Sequence, residues 1–411
     1  MRIGDAMFKN KKVVLGVCGG IAVYKAVELL RLLVKAGADV SVVMTRSAQE
    51  FVTPLTFQTL SGNPVHTELF NLYQEKEIGH ISLADRADLF VVAPATANVI
   101  GKVAAGIADD LLTTTLMATQ APVLFAPAMN VHMYENPIYQ RNEACLRELG
   151  YHFIDPAVGA LACGYEGQGK LPEPEAIISA AQAVLAPQDL AGQHLLVTAG
   201  PTREELDPVR YISNYSSGKM GYAIARAARQ RGAEVVLVSG PTFLSPPEGV
   251  TLIPVVSAEQ MRKTVLEALP KSTAVVKSAA VADYRPASLS QQKLKKTADD
   301  MTLVLEKNPD ILAEVGASKE GRVLVGFAAE TQDLLKHAAD KLKRKNLDLI
   351  VANDVTQAGA GFDVDTNIVK LLYADGHVEA LPQLSKDEVA HQLLDRVVEL
   401  LKQKTCSADQ G

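Results

Sequence analysis

Runs of apolar, β-branched-rich residues alternate with amphipathic stretches along the whole chain, and the alternation breaks once, at Ala186-Pro187-Gln188-Asp189. A short apolar run between turn signals reads as a strand buried on both faces, and strands that alternate with helices specify a parallel, doubly wound sheet. In the first half these runs fall at 12–17, 39–44, 89–93 and 123–126. Between the first two, residues 21–36 carry Leu29, Leu30, Leu33 and Val34 at helical spacing, and Gly37 ends the helix. The second half repeats the pattern at 194–198, 234–239, 274–276, 323–327 and 348–351, with 368–373 expected as an edge strand. A chain of 411 residues with 48% apolar composition exceeds one ordinary core, so the break marks a boundary between two α/β domains. The expected division is 1–186, a linker at 187–190, a second domain at 191–403 and a polar tail at 404–411.

Several classes are excluded. The net charge is -6 and no basic block appears, which argues against a nucleic-acid partner. Apolar segments are interrupted by Pro, Gly, Asp or Lys before they reach bilayer length, and Met1 to Lys12 has no signal-like run, so no membrane partner and a cytoplasmic location are expected. Cys18, Cys145, Cys163 and Cys406 match no zinc or redox spacing.

In such folds ligands bind in the loops after the strand carboxyl ends. Val17-Cys18-Gly19-Gly20-Ile21 follows the first strand, and its glycines let backbone N–H groups approach a phosphate, although a tight turn without ligand fits these residues equally well. Thr45 and Ser47 follow the second strand, Ala95, Thr96 and Asn98 the third, and Gly106-Ile107-Ala108-Asp109-Asp110 comes next. Small residues admit a flat ring, and hydroxyls and an amide bond its polar edge. His80 stands before the third strand and Asn130 after the fourth, and Cys163 sits among Gly159, Gly164, Gly167 and Gly169, a composition suited to a mobile loop.

In the second half, Ser213-Asn214-Tyr215-Ser216-Ser217-Gly218-Lys219-Met220-Gly221 invites a P-loop assignment that fails. Ser213 replaces the first Gly, and Met220 replaces the magnesium-binding hydroxyl. What remains is a hydroxyl-rich turn near Arg210 that suits an anionic phosphate, with a polar turn and helix cap as the lesser alternative. Ser278-Ala279-Ala280-Val281-Ala282-Asp283 leaves another strand, and Lys293-Leu294-Lys295-Lys296 follows in a loop. Lysines there neutralise a triphosphate or form a solvated surface; Lys341 and Lys345, one helical turn apart, present the same choice.

With Pro127-Ala128-Met129-Asn130, Gly159-Ala160-Leu161-Ala162-Cys163-Gly164, Ala280-Val281-Ala282-Asp283-Tyr284-Arg285-Pro286 and Lys307-Asn308-Pro309-Asp310-Ile311, the chain resembles one family over its whole length. These are the bifunctional bacterial phosphopantothenoylcysteine decarboxylases / phosphopantothenate-cysteine ligases of coenzyme A biosynthesis. The resemblance implies a flavodoxin-like flavoprotein domain followed by a Rossmann-like ligase domain. It implies FMN held by Gly19, Gly20, Ile21, Thr45, Ser47, Ala95, Thr96 and Asn98, with His80 as base, Asn130 on substrate and Cys163 as proton donor. For the ligase it implies CTP held by Lys277, Ser278, Ala279, Asp283, Lys293, Asn308, Pro309, Asp310, Ile311, Phe327, Lys341 and Lys345, with Arg210 and Asn214 on phosphopantothenate or its acyl intermediate. Mg2+, with Asp283 as a metal or nucleotide contact, and trimeric decarboxylase and dimeric ligase contacts in a homo-oligomer are implied as well. One residue departs: Cys18 stands where many relatives have Ser, and a thiol is the weaker phosphate partner.

The chemistry suits these residue types. Loss of CO2 from a cysteinyl carboxylate strands a carbanion, so a flavin must oxidise the thiol-bearing carbon first and an acid must protonate the product. A free carboxylate is a poor acyl donor until a nucleotidyl group is transferred onto it, after which the amine of cysteine attacks. Two other readings fit less well. A tandem pyridine-nucleotide dehydrogenase lacks a full G-x-G-x-x-G in either half, and a flavin-fold binding subunit without activity has no need of His80, Asn130 and Cys163 together.

Overall fold

The structure is a computed structural model that describes residues 8–70, 79–160, 166–294, 302–330, 334–354, 361 and 364–408. It divides into two compact units, the first ending at Ala186 and the second beginning at Pro187.

In the first unit the order is β1 (Lys12–Val17), α1 (Val23–Lys35), β2 (Asp39–Met44), α2 (Arg46–Gln49), α3 (Pro54–Ser61), β3 (Val65–His66), α4 (Gly79–Arg86) and β4 (Leu89–Ala95). There follow α5 (Ala97–Ala104), α6 (Leu111–Ala118), β5 (Val123–Pro127), α7 (Val131–Tyr134), α8 (Pro137–Glu148), β6 (His152–Phe153), β7 (Ala157–Ala160), β8 (Glu166–Lys170) and α9 (Pro174–Leu185). The sheet is parallel throughout, in the order β3-β2-β1-β4-β5-β6. Its apolar strands are needed because both faces are covered. Val13, Leu15 and Val17 of β1 join one core with Leu29, Leu30 and Leu33 of α1, while Val14 and Cys18 join the other with Ile100, Leu112 and Leu146. Alternate residues of one strand thus feed two cores, and each fully buried leucine contributes roughly 1.5–3 kcal/mol. Gly37 takes φ +89 where the chain leaves α1, a conformation that costs a residue with Cβ.

The second unit contains β9 (His194–Ala199), β10 (Arg203–Glu205), β11 (Tyr211–Ser213), α10 (Lys219–Gln230), β12 (Glu234–Ser239), β13 (Thr251–Pro254), α11 (Ala258–Ala268), β14 (Ala274–Lys277), β15 (Tyr284–Pro286) and β16 (Leu305–Lys307). It continues with α12 (Ile311–Ala317), β17 (Val323–Glu330), α13 (Leu334–Arg344), β18 (Leu349–Asp354), β19 (Thr366–Asn367), β20 (Val369–Tyr373), β21 (Val378–Ala380), β22 (Leu384–Ser385) and α14 (Lys386–Ala408). The main sheet runs β13-β12-β9-β14-β17-β18-β20-β21, with the last two strands antiparallel. Ranked in chain order, its six parallel strands follow the same 3-2-1-4-5-6 path as the first sheet. Both units therefore reverse winding at one point, between β1 and β4 and between β9 and β14, and a crevice opens there at the carboxyl edge.

Three expectations need correction. The strand expected at the edge, β20, lies inside the sheet, because the Asp375-Gly376 turn folds β21 back onto it. The stretch 187–190, expected as a linker, is fastened to the second unit: Leu190 is buried, and Asp189 accepts two hydrogen bonds, at 2.8 and 2.6 Å, from the buried Arg231. Residues 404–408 of the expected tail are the last residues of α14, where Lys404 donates to Asp348 at 3.0 Å.

Candidate active sites

The first crevice is formed by the loops after β1, β2 and β4. Backbone hydrogen bonds knit them: Cys18 N donates to Pro94 O at 3.2 Å and Thr45 N to Val17 O at 3.0 Å. Gly19 has no room for a side chain, since a Cβ there would stand 2.4 Å from Ser47 Cβ, whereas Gly20 faces open space. Thr45 and Thr96 are N-caps whose hydroxyls accept from Ala48 N and Val99 N; the Thr45 O–H is left able to donate, whereas the Thr96 hydroxyl also bonds the Cys18 sulfur. Ala95 ends β4 in the core, and Ile21 and Asn98 lie exposed at the rim. A flat phosphorylated ring system fits this cradle of small residues, hydroxyls and helix starts.

Cys18 takes no part in that cradle. Its side chain is 1% exposed, bonded to Thr96 and packed with Val14 and Val43, and burial pushes the thiol up to about 12. The expectation that it faces a phosphate is thereby corrected.

His80 lies in the first turn of α4, half-buried, and its Nδ1 is buried with no hydrogen-bond partner among the described residues. A buried polar atom left unpaired costs free energy, so this nitrogen is suited to a group that arrives with the substrate or cofactor. Asn130 caps α7, with its Oδ1 fixed by His132 N at 2.8 Å. Cys163 lies outside the described residues, but the β7–β8 hairpin that brackets it is seated on the Asn130 loop. Met129 N donates to Gly169 O at 3.0 Å, and a Cβ on Gly167 would come within 2.7 Å of Val131.

In the second unit a cavity of about 540 Å³ opens at the winding reversal. Lys277, Ser278 and Ala279 line it from the end of β14, with Asp283 just beyond. Asn308, Pro309, Asp310 and Ile311 form the start of α12, and Phe327, Lys341 and Lys345 complete that side. Lys341 Nζ donates to Phe327 O at 2.7 Å and Lys345 Nζ to Asp310 Oδ1 at 3.0 Å. Lys277 lacks such an anchor among the described residues; burial, reinforced by Lys341 and Lys345, holds it down at about 7. Asn214 lines the cavity and donates to Val281 O at 3.1 Å.

Two predicted site residues are not brought there. Lys293 is exposed and does not line the cavity, and Arg210 is drawn instead onto Asp207 and Leu294. The cavity also recruits Lys219, Asn353, Asn367 and Lys386, which sequence reasoning missed. Lys219 stands in the Ser213–Gly221 motif, but Asn353 and Asn367 lie near the ends of β18 and β19 and Lys386 begins α14, with no local signal. Gly218 enters α10 at φ +77, and a Cβ on Gly221 would stand 2.6 Å from Ala199, so this turn is pressed against β9. Among the described residues no group of three or more His, Cys, Asp or Glu could hold a metal ion.

Two doubly wound units, each with a phosphate-suited crevice at its winding reversal, define a tandem of doubly wound α/β enzyme domains. The first matches the Flavoprotein family over residues 3–186, and the second matches the DNA/pantothenate metabolism flavoprotein C-terminal domain over residues 190–401. The chain is 54% identical over 401 residues to the Coenzyme A biosynthesis bifunctional protein CoaBC of Bacillus subtilis (strain 168), covering 97% of this chain and 99% of that one. The protein of the same name from Escherichia coli (strain K12) is 48% identical over 394 residues, covering 95% and 97%. A solved C-terminal domain of CoaBC aligns at 44% identity with a TM-score of 0.46, covering 53% of this chain and 99% of that one. The chain belongs to the CoaBC family of coenzyme A biosynthesis bifunctional proteins.

Proposed function

We propose that the second unit joins phosphopantothenate to cysteine using CTP, through an acyl-cytidylate, and that the first unit decarboxylates the resulting phosphopantothenoylcysteine to phosphopantetheine. The observation that carries this reading is the lysine-lined cavity at the winding reversal of the second sheet, in a chain whose first unit is a flavoprotein.

In the ligase site Lys341 and Lys345 are held in place by Phe327 O and Asp310, so they stabilise charge on the transferring phosphate without reorganising. Lys277 adds a third charge once a polyanion is bound. Asp283 with the phosphates would hold Mg2+, since this ion is commonly bound through one or two carboxylates plus substrate phosphates. In the first unit, FMN supplies the electron sink that removal of CO2 requires. His80 Nδ1 holds or accepts a proton, Asn130 orients the substrate and Cys163 returns a proton to the product. Homo-oligomeric contacts, trimeric for the decarboxylase and dimeric for the ligase, belong to this reading. The exposed Ile21 and Tyr24 beside the first crevice, 61% and 62% accessible, support such contacts.

The purified chain should be yellow and should convert phosphopantothenate, cysteine, CTP and Mg2+ into phosphopantetheine and CO2. His80→Asn or Cys163→Ala should halt the sequence at phosphopantothenoylcysteine. Lys293→Gln should abolish ligation yet decarboxylate added phosphopantothenoylcysteine. Variants that lose both activities together would refute the assignment of one reaction to each unit.

A further inference from the structure

The turn between β10 and β11 holds a carboxylate with an unusual load. Asp207 is 1% exposed. Its Oδ1 accepts from Val209 N and Arg210 N, both at 2.9 Å, and its Oδ2 accepts from Arg210 Nε at 3.0 Å, Arg210 Nη2 at 2.6 Å and Leu294 N at 3.1 Å. Arg210 Nη2 also donates to Leu294 O at 3.0 Å. The residue after Lys293 is therefore gripped on both backbone groups, by Asp207 directly and through Arg210. A second tie, Ser290 N to Leu206 O at 3.1 Å, fastens the same two segments four residues earlier.

We infer that Asp207 is a positioning residue of the ligase site, which fixes the foot of the Lys293 segment and the side chain of Arg210 through one buried carboxylate. The inference rests on the ligase reading above. Only a carboxylate can do this, because two oxygens with four lone-pair sites meet five N–H donors, and an amide of the same size turns two donors of its own toward them. The guanidinium of Arg210 holds the carboxyl far below the usual range, so the charge persists at every working pH. Lys293 lies outside the cavity lining and must bring its ammonium to the nucleotide from a fixed base. Releasing that base spreads the ammonium over many positions, and misplacement by about 1 Å can cost about a hundredfold in rate.

The test uses the full chain. Asp207→Asn removes the charge, and Leu294→Pro removes the N–H that Asp207 holds while also fixing φ at 294 and restricting Lys293. Each variant should lower kcat for CTP-dependent ligation by roughly tenfold or more. The double variant should be no worse than the poorer single one, because both break the same connection. Decarboxylation of added phosphopantothenoylcysteine should continue at the wild-type rate, and in Asp207→Asn, which keeps the cleavable Lys293–Leu294 bond, trypsin should cut after Lys293 faster than in the wild type at a temperature well below unfolding. Ligation by Asp207→Asn within about twofold of wild type, or losses that multiply in the double variant, would overturn the inference. So would a defect that disappears on cooling, which marks a residue needed only for folding. If the wild type itself fails to ligate, the ligase reading falls, and the trypsin comparison still decides whether Asp207 holds the segment: equal cutting overturns it.

Discussion

Cys18 shows how burial changes the meaning of a residue. In the glycine-rich turn a thiol looks like a poor phosphate partner, but at 1% exposure it is a core side chain that shares a hydrogen bond with Thr96. Cys18→Ser should therefore retain flavin as well as the wild type, with its effect confined to stability. Thr96 can pair with the new hydroxyl, so a loss of about 1 kcal/mol is expected. Flavin absorbance per chain after gel filtration, together with thermal unfolding, checks both parts; flavin loss would contradict the structure.

Lys277 gives a pH dependence with a definite sign. Held at about 7 by burial and by Lys341 and Lys345, it is mostly neutral near pH 8 in the free protein. A bound triphosphate reverses that balance, so CTP binding should take up close to one proton near pH 8 and weaken as pH rises. Calorimetry in buffers of different ionisation heat measures the uptake, and Lys277→Met should abolish it. Without nucleotide, the unfolded chain binds the extra proton between about 7 and 10.5, so stability of the second unit should rise with pH across that window.

At the scale of elements, the β7–β8 hairpin depends on a close approach that sequence composition described only as flexibility. Gly169 stands at φ +153, and a Cβ there would lie 2.3 Å from Met129 O, backbone that cannot yield without moving the Asn130 loop. Gly169→Ala should cut phosphopantothenoylcysteine decarboxylation by well over tenfold while ligation, measured in the same preparation, stays unchanged. Parallel loss of both activities would mean that the substitution unfolds more than the hairpin. The strands themselves were legible because each is a local apolar run. The expected spans stop short where β17 continues to Glu330 and β18 to Asp354, since strand ends that feed a site carry small or polar residues. The position of β20 was not legible, because β21 is three residues long, with Glu379 at its centre and both ends exposed.

At the scale of the whole molecule, the second unit is locked around Arg231, 2% exposed in its side chain and bound to Asp189 at 2.6 Å and Asp395 at 2.7 Å. Removing one partner leaves a buried guanidinium half-compensated. Asp189→Ala should destabilise the second unit by roughly 2–4 kcal/mol, below the fully buried figure because Asp189 is partly solvated. Calorimetry should show the transition of the first unit unmoved; a shift of both would mean that the units unfold as one.

Taken by itself, the sequence determined the two sheets, their boundary, the glycine- and lysine-bearing loops and the family to which they point, because each signal is local in the chain. Tertiary structure alone decided which loops converge. Lys277, Asn353, Asn367 and Lys386 line one cavity because β14 and β18 belong to the same sheet and because β19 and α14 follow, a consequence of strand order that no short window contains. It also decided that Arg210 turns to Asp207 rather than to the cavity, since a buried carboxylate must be paired and the nearest five donors include that guanidinium.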